Sequence, residues 1–139
     1  MWERAGFTDE RGRRVTEKVR TFMPGEEVVI EVGFAYEGDR KIESVEAVFV
    51  REGSGDEIMF LGDAKEEASG QSRGEARYAA RLEARIGRDA SPGEYRCARL
   101  SARDRLDDDW VFTDVSRLDL VVRVEHAPHQ LKVTTSDFL

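Results

Sequence analysis

The feature that most constrains the fold is a period-two alternation of apolar and polar residues, which recurs along most of the chain. It is clearest over residues 75–86, where the apolar residues on one face are Ala76, Tyr78, Ala80, Leu82, Ala84 and Ile86. A helix is the rival interpretation, because Ala, Arg, Glu and Leu all favour helices. The helical apolar stripe would hold only Tyr78, Leu82 and Ile86, so the alternation favours a half-buried β-strand.

The same alternation predicts further strands, which are 26–36, 42–51, 58–62, 94–104 and 117–125. The intervening segments are polar and rich in Gly, Pro and Asp, as turns are. The apolar parity changes between Cys97 and Leu100, which predicts a β-bulge. Residues 15–23 fit either a helix or an irregular strand. The sequence therefore predicts an all-β fold, an antiparallel β-sandwich of about seven or eight strands.

The chain of 139 residues has the length of one domain. Residues 1–14 are polar apart from Trp2 and Phe7, and they are predicted to form an N-terminal arm in which a short strand is an option. The β-sandwich is predicted to span residues 15–126. Residues 127–139 then form a C-terminal tail or an extra edge strand.

Composition excludes several classes of protein. The net charge of -7 argues against nucleic acid as a partner, since phosphate contacts are made by Lys and Arg. A single cysteine, Cys97, excludes an intramolecular disulfide or a multi-cysteine zinc site, and its place on an apolar strand face predicts an inert thiol. Apolar runs are too short to span a membrane, and the charged N-terminus is unlike a signal peptide, so we expect a cytoplasmic protein.

Residues 89–98, DASPGEYRCA, resemble the signature of strand F in immunoglobulin-like domains, in which a tyrosine stands two residues before a cysteine. The resemblance implies a bacterial immunoglobulin-like β-sandwich and a hydroxyl of Tyr95 that binds the nearby backbone. The chain departs from antibody domains because Cys97 has no second cysteine to pair with.

The order of turns and strands over residues 8–125 also resembles the carbohydrate-binding β-sandwich at the C-terminus of bacterial O-antigen ABC-transporter ATPases. The matching segments are TDERG at 8–12, FMPGE at 22–26 and PGEY at 92–95. This resemblance implies a glycan ligand. Trp110 and Tyr36 would then supply the rings that pack on sugar faces.

Two charged clusters are candidate sites. Arg77, Arg81 and Arg85 share the outward face of the strand predicted over residues 75–86. They either pair with acids on neighbouring strands or bind an anionic partner or a second copy, since arginine suits carboxylate and phosphate recognition. The other cluster, an acidic loop that is either a calcium site or a solvated hairpin, contains Asp104, Asp107, Asp108 and Asp109.

The sequence has neither a phosphate-binding loop nor a dinucleotide-binding glycine motif, which favours a non-catalytic module without a cofactor. We expect its function to be protein–protein interaction or self-assembly, through an edge strand or the tail. The apolar tail residues that could dock on a neighbour are Leu131, Val133, Phe138 and Leu139. The alternatives are carbohydrate binding and calcium binding at the acidic loop.

Overall fold

A computed structural model of the chain describes residues 2–37, 41–67, 75–104, 109–112 and 118–126. Over these residues the secondary structure is entirely β, so the prediction of an all-β fold is confirmed. The strands are β1 (Trp2–Phe7), β2 (Val19–Phe22), β3 (Glu27–Glu37), β4 (Ile42–Arg51), β5 (Glu57–Glu66), β6 (Glu75–Arg85), β7 (Gly93–Asp104), β8 (Asp109–Phe112) and β9 (Val121–Val124).

The described strands form one sheet in the order β1-β3-β6-β5-β4-β7-β9-β2, and β8 pairs with the second half of β7. The sheet is mixed, because β2 and β9 run parallel whereas the other pairs are antiparallel. It curls into a half-barrel around its apolar face. The predicted sandwich of two sheets is not confirmed, because β5 pairs with β4 from Glu57 to Asp63 and with β6 from Leu61 to Glu66, and so joins all the strands into one sheet.

The core fills the concave side of the curl. Its largest fully buried side chains are Tyr78, Tyr95, Phe7, Phe34, Phe49, Phe60, Ile30, Ile42, Leu82, Ile86, Leu100 and Leu120. Phe49 packs against Phe60 with ring centroids 4.9 Å apart. Across the core, the backbone N–H of Ile42 donates to the hydroxyl of Tyr78 at 3.2 Å, which satisfies a buried polar group.

The curl brings the two ends of the sheet together at β1 and β2. The ring centroids of Phe7 and Phe22 lie 5.9 Å apart, and the N–H of Val15 donates to the carbonyl of Phe7 at 2.9 Å. Residues 15–18 have no regular secondary structure and Val19–Phe22 form β2, so the irregular-strand option for residues 15–23 is the one that the structure takes. The segment predicted as an arm contributes β1, with Ala5 and Phe7 in the core.

The predicted bulge in β7 is confirmed. Val48 pairs with Arg99 and Phe49 pairs with Cys97, which leaves Ala98 without a partner in the register. The hydroxyl of Tyr95 donates to the carbonyl oxygen of Ser91 at 2.8 Å. This is the backbone contact that the immunoglobulin-like resemblance implies for Tyr95.

Candidate functional site

The predicted arginine row lies on the outer face of β6, where Arg77, Arg81 and Arg85 are all exposed. Arg85 is held by the protein itself, since its guanidinium donates to the carbonyl of Gly25 at 2.8 Å and lies 3.7 Å from Glu27. Arg81 is held more loosely. Its Nε lies 3.6 Å from Glu83 Oε2, and both side chains are about half exposed. Surface pairs of this kind contribute little to stability, so Arg81 is available to a ligand.

Arg81 lines a cleft of about 610 Å³ that is formed with the loop after β1, with β2 and with the start of β3. Three further arginines reach the cleft, namely Arg11, Arg13 and Arg20. The four come from three segments that are distant in sequence, so the sequence analysis identified only Arg81. We name this site the arginine cleft.

The loop that carries Arg11 and Arg13 is fixed by an aspartate turn. The Oδ1 atom of Asp9 accepts the backbone N–H of Arg11 at 2.9 Å and that of Arg13 at 2.8 Å. Gly12 closes the turn at a positive φ of 79°. The backbone hydrogen bond from Arg13 holds the pKa of Asp9 below its ordinary value. The turn therefore uses the backbone N–H of Arg11, and the side chain of Arg11 does not contribute to it.

The predicted aromatic site residues lie on strands that do not pair with each other. Tyr36 is near the end of β3, opposite Ala76 of β6, and Trp110 is in β8, opposite Ala102 of β7. Both side chains lie outside the described part of the structure. The carbohydrate site therefore stays a prediction.

The predicted calcium loop is only partly described. Asp104 is buried at the end of β7, and Asp109 begins β8. Asp107 and Asp108 lie outside the described residues. Among the residues that are described, His, Cys, Asp and Glu form no group of three placed to hold a metal ion. The calcium site likewise stays a prediction.

Cys97 does not have the setting that a catalytic nucleophile requires. Burial raises the pKa of the Cys97 thiol to about 11, so it is protonated at neutral pH. Residues 70–74, GQSRG, have the G-x-S-x-G spacing of a hydrolase nucleophile, which the sequence analysis did not identify. These residues lie outside the described part of the structure.

An apolar patch lies on the outer face of β5, which we name the β5 patch. Met59 is 47% exposed and Leu61 is 54% exposed, two residues apart on the same face. Met59 lies opposite Val48 of β4, which is only 2% exposed although it does not belong to the core cluster. An exposed apolar pair beside a covered valine is typical of a contact surface.

The edge of β5 beside this patch is open in the part of the chain that the structure describes. Glu57–Phe60 pair with β4, but the ladder between β5 and β6 begins only at Leu61. Within the described part of the chain, the first half of β5 thus has a ladder partner on one side alone. Unpaired N–H and C=O groups on such an edge are a template for another strand.

The shortest described ion pair, between Glu94 and Arg123, lies away from both surfaces. Glu94 accepts two hydrogen bonds from Arg123, at 2.7 and 3.3 Å, which hold the pKa of Glu94 below its ordinary value of 4.5. A carboxylate with a lowered pKa stabilises the fold above its unfolded pKa, and that stabilisation is lost as pH falls through the folded pKa. We therefore expect the melting temperature of Glu94→Gln to lie below that of the wild type at pH 7.

The difference in melting temperature should shrink as the pH falls from about 5 to about 3, because the wild type then loses the same charge. Thermal unfolding monitored by circular dichroism across this range measures it. Glu125→Gln removes an exposed carboxylate just beyond β9 and is the control for net charge. A gap between Glu94→Gln and the wild type that stays constant down to pH 3 would contradict the assignment.

Comparison with protein-family models, with curated proteins and with solved structures gives no match for this chain. The resemblances to immunoglobulin-like and transporter-associated sandwiches therefore stay predictions. The described residues contain no helix that is long and apolar enough to cross a membrane.

Proposed function

We propose that this chain is a non-catalytic self-assembly module, in which the open half-edge of β5 pairs with the same half-edge of a second copy. The observation that carries the proposal is the coincidence of this edge with the exposed pair Met59 and Leu61. Edge pairing supplies main-chain hydrogen bonds, and the adjacent apolar side chains supply burial.

A second copy fits this edge because the edge is complementary to itself. Antiparallel pairing centred on Met59 places Met59 opposite Met59 and Ile58 opposite Phe60 of the second copy, so every paired residue belongs to the open half-edge. Moving the centre to Phe60 would require the outer side of Leu61, which already pairs with Glu83 of β6. The open residues therefore favour the register centred on Met59.

The double variant Met59→Lys/Leu61→Lys is expected to be monomeric, whereas the wild type has twice the mass of the 15.8 kDa chain. Lysines on an edge repel each other across the twofold axis and are a common protection against edge pairing. Both positions are about half exposed, so the variant should keep its fold and melting temperature. Sedimentation equilibrium or light scattering coupled to size-exclusion chromatography measures the mass.

Val19→Lys/Met23→Lys is the matched control. Val19 and Met23 are 41% and 43% exposed, and they lie on or next to β2, far along the sheet from β5. This control should associate as the wild type does. Removing residues 127–139 distinguishes edge pairing from docking of the apolar tail, because edge pairing survives the deletion. A monomeric wild type at millimolar concentration, or equal loss of association in both double variants, would refute the proposal.

A further inference from the structure

We infer that the arginine cleft binds a small ligand that carries several phosphate or carboxylate groups. This inference is independent of self-assembly, because the cleft involves neither the β5 patch nor the open edge of β5. Its volume of about 610 Å³ lies within the range of small-molecule sites in proteins. The argument rests on which charged groups in the cleft already have partners.

Four acids line the cleft; Glu10 is exposed, and the other three are committed to donors of the protein itself. Asp9 binds the N–H groups of its own loop, as described above, and also lies 3.4 Å from Nε of Arg13. Glu26 accepts the backbone N–H of Met23 at 2.6 Å. Glu27 pairs with Arg85, which does not line the cleft. These carboxylates hold the loop and the start of β3 in place. They therefore do not serve as acceptors for the guanidinium groups of Arg11 and Arg20.

Two arginines of the cleft have no acidic partner among the described residues. Across the residues that the structure describes, no carboxylate lies within 4 Å of the guanidinium of Arg11 or Arg20. The guanidinium carbon of Arg20 lies 5.7 Å from the ring centre of Phe22, a cation–π contact that holds the side chain against the wall of the cleft. Arg81 adds a third guanidinium, through its loose contact with Glu83. Against one uncommitted acid, Glu10, the cleft therefore presents the three guanidinium groups of Arg11, Arg20 and Arg81.

Thr8 on the same wall gives a second, independent observation. Its buried Oγ1 has no hydrogen-bond partner, and among the described residues it is the one buried side-chain oxygen or nitrogen in that state. Buried hydroxyls without partners are rare in proteins. The hydroxyl of Thr8 can donate one further hydrogen bond, and oxyanions are ligands with acceptors on every side.

Two probes distinguish the sources of this chemistry: tripolyphosphate for a phosphate ligand and citrate for a carboxylate ligand. Isothermal titration calorimetry of the full chain at constant ionic strength should detect binding of at least one of them. Constant ionic strength is needed because salt screens exposed charges. A preference for tripolyphosphate identifies a phosphate ligand, and a preference for citrate identifies a polycarboxylate.

The double variant Arg11→Gln/Arg20→Gln should weaken binding at least tenfold while its melting temperature stays near that of the wild type. The turn at Asp9 survives this change because it uses the backbone of Arg11 and not its side chain. Arg88→Gln/Arg99→Gln is the matched control, since both residues are exposed and neither lines the cleft. Absence of binding by both probes, or an equal loss in the control, would overturn the inference.

Discussion

Replacing Gly62 by alanine is expected to lower the free energy of unfolding by about 3 kcal/mol, at the upper end of the usual cost of overpacking. A Cβ atom at this position would overlap the carbonyl oxygen of Arg81 and would lie 2.8 Å from its carbonyl carbon. These are backbone atoms of β6 and cannot rotate away as a side chain would. The two strands must separate at the point where β5 passes from β4 to β6.

For a chain of this size, a loss of about 3 kcal/mol lowers the melting temperature by about 10 °C. Thermal and urea unfolding of Gly62→Ala measure both quantities. Gly87→Ala is the control, because the nearest atom to a Cβ there is a carboxylate oxygen of the exposed Asp89, at 3.4 Å. That variant should stay within about 0.5 kcal/mol of the wild type. If Gly62→Ala melts within 2 °C of Gly87→Ala, β5 does not pass this close to β6.

Gly62 also shows why the sequence analysis ended β5 too early. The predicted strand stopped at residue 62, because glycine and the polar residues after it are typical of a turn. The strand in fact continues to Glu66, and its polar residues Asp63 and Lys65 are exposed on the outer face. An isolated glycine within a strand can also mark the close approach of another backbone, and that is its role here.

The individual strands were more predictable than their arrangement. Alternation placed β3, β4, β6 and β7 within two residues of their observed bounds, because one buried face dictates the period along each strand. It also located the bulge at Ala98, since a bulge changes that parity. Alternation says nothing about which strands pair. The parallel contact of β2 with β9 and the joining of the sheet through β5 could not be read from it.

The arginine cleft was only partly predictable for a related reason. Arg81 was identified because its neighbours Arg77 and Arg85 share its alternation, which is a local property of β6. Arg11 and Arg20 join it only after the sheet curls, and no pattern within either segment indicates that contact. The sequence TDERG at 8–12 did carry a turn signal, in the aspartate that binds the backbone two and four residues ahead.

Replacing Phe7 by alanine is expected to cost about 4 kcal/mol, because the side chain is fully buried and the change leaves a large cavity. The ring of Phe7 contacts that of Phe22 where the two ends of the sheet meet. The cavity would therefore lie between β1 and β2. If residues 1–14 were an arm outside the fold, the same change would cost no more than an exposed substitution, about 0.5 kcal/mol.

Guanidinium unfolding of Phe7→Ala, with Arg4→Ala as the control on the same strand, separates these outcomes. Arg4 pairs with Glu67 at 3.0 Å, and both side chains are about two-fifths exposed, so its loss should cost less than about 1 kcal/mol. A cost for Phe7→Ala as small as that of Arg4→Ala would show that β1 is dispensable. The large cost expected here means that a chain shortened to begin at residue 15 loses an entire core strand. Such a chain exposes the outer edge of β3, and we expect it to aggregate rather than fold.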